Sequence, residues 1–191
     1  MESFVIKALN NHTWSDFAKL VEKNNGVWGG CWCMSFHEEG VGKHRTVEQN
    51  RREKECRVHE DRAHAAIVYL ENEAVGWCQF GKPEELPKIK MKKEYEQKIK
   101  DNPDWRITCF FVDKGHRHLG ISSIALDGAL SEIAKQGGGI VESYPEDVEK
   151  RKVSGSFLYN SILSMFEGKG FKRVEKLGKN HWIVRKRVDT I

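Results

Sequence analysis

Between Trp105 and Gln136 the apolar pattern changes period once, and nothing else in the chain limits the fold as tightly. Trp105 to Val112 is a run of aromatic and β-branched residues that reads as a buried strand. From Ile121 the period becomes helical: Ile121, Ala125, Ala129 and Ile133 recur every four residues, with Leu126 and Leu130 alongside. Gly137-Gly138-Gly139 stops that helix and leads into a second strand over Ile140 to Tyr144. Strand, helix and strand joined by short turns predict a right-handed parallel crossover, the building unit of an α/β sheet.

The flanking sequence supplies the rest of such a sheet. Phe4 to Leu9 reads as a first strand, and Trp14, Phe17, Ala18 and Val21 share a helical face behind a Thr13/Asp16 capping pair. Asn25-Gly26 ends that helix. Val27 to His37 is aromatic and irregular, a loop with partly buried side chains, and Thr46 to Asp61 is an exposed helix opened by Thr46 and Gln49. Ala65 to Leu70 and Ala74 to Phe80 form a hairpin around Glu71-Asn72-Glu73. Residues 81–104 form an excursion with a helix over Lys92 to Lys100. Ser154 or Ser156 caps a helix carrying Leu158, Ile162, Met165 and Phe166, and Phe171 to Lys176 pairs with Trp182 to Arg187 to close the sheet. The 191 residues suit one domain, with an apolar fraction of 39% to fill its core.

Composition excludes several classes. The net charge of +4 comes from lysines and glutamates mixed along the chain rather than a basic arm, so no nucleic acid is expected as a partner. The run Lys88 to Lys93 reads as a solvated face; a nucleic-acid binder using it with Lys98 to Lys100 is the rival, which requires salt-sensitive binding. No apolar run has membrane-spanning length, and the start lacks the pattern of a signal peptide. Five scattered cysteines argue against a disulfide framework and for a reducing cytoplasm. Cys31, Cys33 and His37, or Cys56, His59 and His64, lack the spacing of a zinc site, so no metal is expected.

The chemistry lies in the turn between the strand and the long helix, His116-Arg117-His118-Leu119-Gly120-Ile121-Ser122-Ser123. Amides at a helix start are unpaired and point along the positive end of the helix dipole, so they offer a site for an anion. Gly120 lets backbone approach a phosphate without a Cβ in the way. Arg117 and His118 add donors. No Gly-Lys-Ser/Thr and no G-x-G-x-x-G occurs, so neither a P-loop nor a dinucleotide fingerprint accounts for it.

Val112, then Arg117 five positions on, then Gly120 opening a helix resembles the R/Q-x-x-G-x-G/A signature of the GNAT superfamily of acetyltransferases. Ser122 stands where that family prefers glycine or alanine, and is small enough to keep the turn. Phe166-Glu167-Gly168-Lys169-Gly170-Phe171, with Tyr159-Asn160 two turns before it, resembles the end of the family's fourth helix and the G-F strand start after it. The two matches span Trp105 to Arg187; the first half agrees in element order.

The resemblance implies a mixed, mostly antiparallel sheet flanked by helices and splayed between its fourth and fifth strands. Residues 1–104 would be the acceptor-side half and 105–187 the half that binds coenzyme A. Acetyl-coenzyme A would be the cosubstrate, with no metal, and the acceptor an amine of a small molecule or peptide; a homodimer is possible. Thr108 to Val112, Phe110 and Val112 included, would pair with the pantetheine arm, residues 116–123 would hold the pyrophosphate, and Asn160 and Phe166 would line the thioester end. Transfer would be by direct attack in a ternary complex. Many relatives carry a tyrosine acid where Phe166 stands and a base on the fourth strand, where Ile107 to Val112 has no carboxylate. Tyr159 or water is left as the acid, and Glu142 as the base. A noncatalytic acyl-coenzyme A-binding module is the alternative. Trp28, Trp32 and Phe36 are either core beneath a loop or a wall of the acceptor pocket, which would then take an apolar group or a cation.

Overall fold

The computed structural model describes residues 3–41, 44–149, 153–155 and 158–191. Among these residues seven strands form one sheet: β1 (Phe4–Ala8), β2 (His64–Leu70), β3 (Glu73–Gly81), β4 (Trp105–Val112), β5 (Gly139–Ser143), β6 (Lys172–Leu177) and β7 (His181–Val188). Their spatial order is β1-β2-β3-β4-β5-β7-β6, so both halves of the sequence contribute to the same sheet. Every neighbouring pair is antiparallel except β4 and β5, the parallel pair that the crossover predicts. The hairpin turn is shorter than expected: Glu71 and Asn72 both take positive φ, 49° and 68°, and β3 begins at Glu73.

Alternate strand residues feed two cores, as a period of two requires. On one face Ala66, Val68, Val75, Cys78 and Phe110 pack against α4 (Ile121–Lys135) through Ile121, Ala125, Ala129 and Ile133. Gly128 lets this helix come close, since a Cβ there would lie 2.6 Å from Ile6. On the other face Ile67, Tyr69, Trp77 and Cys109 meet α1 (Trp14–Lys23) and the segment 27–36, whose Trp32, Cys33 and Met34 are fully buried. No helix among the described residues is long and apolar enough to cross a membrane.

Three local expectations change. The helix α2 (Val47–His59) opens with the Thr46/Gln49 capping box, but Asn50, Lys54, Arg57 and Val58 are buried, so one face is not exposed. The excursion helix α3 spans Lys92–Lys98, ending two residues early. The last helix, α5, spans only Leu163–Gly168. Ser156 lies outside the described residues. Ser161 takes φ 61°, and its neighbours give their polar groups to β4 and to Glu146 rather than to a helical turn. A helix cannot begin until that pairing ends.

Candidate active site

The strand β4 is five residues longer than its contact with β5. Only Trp105, Arg106 and Ile107 are registered with Val141, Glu142 and Ser143; beyond them the two strands part. The gap is partly filled from within. The Asn160 amide nitrogen donates to the Thr108 carbonyl at 2.6 Å, and the Phe110 amide donates to the Tyr159 carbonyl at 2.7 Å. Two of the backbone groups expected to meet a pantetheine arm thus already have partners in the chain itself, and the open stretch of β4 is its end, near Val112.

At that end the chain turns through a 3₁₀ turn, Lys114–His116, into α4. Asp113 anchors the turn: its carboxylate accepts from Asn24 at 3.1 Å and Lys23 at 3.3 Å, and bonds the His116 Nδ1 at 3.0 Å. Burial alone would raise that carboxyl, but the donors from Asn24, His116 and Lys23 outweigh it and hold the group below the ordinary aspartate range. His118 and Gly120 both take positive φ, 68° and 76°. Among the described residues nothing accepts from the amides of His118, Leu119, Gly120, Ile121 or Ser122; the first bond of the helix is Ser123 N–H to the Gly120 carbonyl at 2.9 Å. Arg117, His118, Leu119 and Gly120 are exposed, and a Cβ at Gly120 would meet nothing within 4 Å. The turn therefore presents a row of unsatisfied donors at the positive end of a 15-residue helix, with open space in front of them.

On the opposite face of β4 lies a cavity of about 690 Å³, within the range of small-molecule sites. Trp28, Phe36 and Tyr159 wall it, with Cys33 and Cys109 at the sheet. The walls are coupled: Tyr159 meets Trp28 edge-on at 6.2 Å and Phe36 at 6.0 Å, and Trp28 meets Phe111 at 6.0 Å. Of the aromatic segment, Trp28 and Phe36 face the cavity while Trp32 is core. Burial above all, with the Glu146 carboxylate adding to it, raises the Tyr159 hydroxyl, which stays protonated at neutral pH.

Behind the two cysteines is a polar chain that the sequence did not disclose. Lys54 is 1% exposed; it donates to Gln79 Oε1 at 2.8 Å and meets His37 Nε2 at 3.1 Å, and Gln79 donates on to Thr108 at 3.1 Å. The other His37 nitrogen faces the Glu85 carbonyl at 3.0 Å and must carry the proton, so Nε2 is the acceptor. Burial first, then the Lys54 and Arg57 charges, push His37 well below its usual range and keep it neutral. Burial also lowers Lys54, and the neighbouring thiols oppose that. Burial would raise the Cys33 thiol, but Cys109, Lys54 and Trp77 outweigh it and hold it below the ordinary cysteine range. The charged, breaker-free pattern of residues 46–61 reads as an exposed helix, and nothing in it marked Lys54 as buried.

Two expected residues stand elsewhere. Glu142 does not line the cavity and is no solvent-facing residue: it is fully buried, one carboxylate oxygen accepts from Tyr144 at 2.7 Å and the other from Arg185 at 2.7 Å. Both oxygens are committed to an ion-pair network, which leaves no lone base. Phe166 is also fully buried, edge-on between Phe110 at 5.9 Å and Phe171 at 5.0 Å, and belongs to the core beneath β4. Among the described residues no cluster of three or more His, Cys, Asp or Glu is arranged to hold a metal.

The sequence model of the GNAT acetyltransferase family matches residues 19–148. No curated protein sequence matches the chain. Among solved structures, an N-acetyltransferase from Staphylococcus aureus superposes with a TM-score of 0.53 at 12% identity, covering 98% of each chain. An acetyltransferase from Thermus thermophilus does so with a TM-score of 0.53 at 11% identity, over 98% of this chain and 99% of its own. The ribosomal-protein-S18-alanine N-acetyltransferase of Escherichia coli follows with a TM-score of 0.50 at 7% identity, over 99% and 96%. At these identities the likeness is one of fold.

Proposed function

The chain belongs to the GNAT family of acetyltransferases, and from that premise we propose that it moves an acetyl group from acetyl-coenzyme A to an amine of a small molecule or peptide. The observation that carries this reading is the row of unpaired amides from His118 to Ser122 at the start of α4, beside the parting of β4 and β5. A diphosphate satisfies such donors better than water, because its charge also meets the helix dipole. Arg117 and His118, exposed beside them, add donors. From there the pantetheine arm runs along the open end of β4 past Val112, and the acetyl group comes to rest near Phe110 and Tyr159, at the rim of the aromatic cavity. The cavity is then the acceptor site.

In the reaction the neutral amine attacks the thioester carbonyl, a C–N bond forms, the C–S bond breaks, and the thiolate leaves. The amine nitrogen loses one proton to solvent water, and the coenzyme A sulfur gains one. Tyr159, protonated and at the rim, is the side chain able to supply the second. The Phe110 amide becomes available to the developing oxyanion only when the Tyr159 carbonyl moves off it.

That bond, with Phe166 buried and Glu142 committed, also favours a second reading in which the chain binds acyl-coenzyme A without catalysis. Thiol release in the presence of a panel of amines separates the two. Acceptor-dependent release supports the enzyme; tight coenzyme A binding with no such release supports the module, and no coenzyme A binding refutes both.

A further inference from the structure

The cavity walled by Trp28, Phe36 and Tyr159 carries three cations, Arg45, Lys88 and Lys90, and no carboxylate is among the described residues that line it. No ion pair links any of the three to an Asp or Glu of the described residues. The carboxylate of the adjoining loop, Glu39, is paired with Arg57 and feels the Arg45 charge only from a distance, outside ion-pair contact. Any thiolate at Cys33 is offset by the buried Lys54 ammonium behind it. Arg45 is held in place: its Nε donates to Asn50 Oδ1 at 3.1 Å, and buried Asn50 in turn donates to the Gly30 carbonyl at 2.8 Å. The Arg45 Nη2 also donates to the Gln49 carbonyl at 3.3 Å, while Nη1 has no acceptor among the described residues. Lys88 is tied at its backbone, its amide donating to the Phe36 carbonyl at 3.1 Å, which joins the lysine segment to the aromatic loop.

Three cations and no carboxylate among the described lining residues of a half-apolar cavity attract an anion and repel an ammonium ion. We infer that the acceptor is an amine that also carries an anionic group, a carboxylate or a phosphate, on an apolar body. The anion lies against Arg45, Lys88 and Lys90, and the body against Trp28, Phe36 and Tyr159. This inference rests on the reading of the cavity as the acceptor site and narrows the substrate class within it. It also bears on the missing base. Like charge nearby disfavours the protonated amine, so the cavity itself raises the share of bound acceptor that is neutral and able to attack.

The test compares ligands of one shape and opposite charge. Calorimetry with 3-phenylpropionate, phenyl phosphate and 2-phenylethylamine should show either anion binding at least about tenfold more tightly than the amine, and the advantage should shrink in high salt. Whichever anion binds better identifies carboxylate or phosphate as the recognised group. In the Lys88→Gln/Lys90→Gln variant, the anion advantage should fall to about threefold or less. Equal binding of all three ligands, tighter binding of the amine, or an unchanged preference in the variant overturns the inference. Coenzyme A affinity, measured on the same samples, reports separately on the reading it rests on. If coenzyme A binds and these ligands show no anion preference, the substrate class alone is wrong.

Discussion

The two faces of β4 are built in different ways. The turn at its end, residues 113–123, is made of backbone: exposed amides, two residues of positive φ and a glycine with free space beside it. The cavity on the other face is made of side chains from residues 28–41, from Arg45, from α2, from Lys88 and Lys90, and from Tyr159 more than a hundred positions after the first of them. A backbone site needs consecutive residues and therefore leaves a local signature. A side-chain site needs only proximity in space, and proximity is fixed by the sheet order.

Each of the following experiments strikes one face and should spare the other. Lys54→Met removes the buried ammonium on which His37 Nε2, Gln79 and Cys33 depend, and should cost about 3 kcal/mol of stability in urea denaturation. Coenzyme A affinity of the folded variant should stay within about twofold of the parent, because the turn draws nothing from that network. A large loss of affinity would erase the distinction between the two faces.

Gly120→Glu strikes the other face. It should weaken coenzyme A at least about a hundredfold in calorimetry, since a carboxylate is set against the diphosphate and a side chain is forced into the left-handed region. Gly120→Ala separates the causes: nothing lies within 4 Å of its Cβ, so it should cost about 1 kcal/mol of stability and leave most of the affinity.

Phe166→Tyr tests whether the usual tyrosine can simply be restored. Its hydroxyl would enter a fully buried site between two phenylalanines, so about 2 kcal/mol of stability should be lost and no acceptor-dependent rate gained. A rate increase would mean that position reaches the thioester after all.

Asp113→Asn should have the smallest effect. The folded aspartate titrates below its unfolded value, so its contribution is present above about pH 4 and fades as pH falls through the folded pKa. The variant should be about 1 kcal/mol less stable at pH 7 and indistinguishable from the parent in strong acid. A difference that persists in acid would assign the loss to packing rather than charge.

The sequence was most informative where a local rule had no competitor. The change from strand to helical period across Val112 to Ile121 located β4, α4 and the crossover, and Thr46 with Gln49 located the start of α2 through its capping box. It failed where tertiary pairing overrode a local pattern. The run around Leu158 has helical spacing, yet Tyr159 and Asn160 surrender their polar groups to β4, and the helix waits until Leu163. Lys54 is a charged residue on a helix whose pattern suggested exposure, and Glu142 is the carboxylate expected to be free to act as a base. Each is fully enclosed, because a histidine and a glutamine in one case and a tyrosine and an arginine in the other complete its bonding. Lys88 and Lys90 read as a solvated run and are indeed exposed; what the sequence left out is that they stand at the rim of the cavity, where the bond from the Lys88 amide to the Phe36 carbonyl joins them to the aromatic loop.

The central claim is that the amides opening α4 grip the diphosphate of coenzyme A. A crystal structure with coenzyme A bound tests it most directly. The expected result is diphosphate oxygens about 3 Å from the amides of Gly120, Ile121 or Ser122. Coenzyme A bound at another place, with that turn facing only solvent, contradicts it.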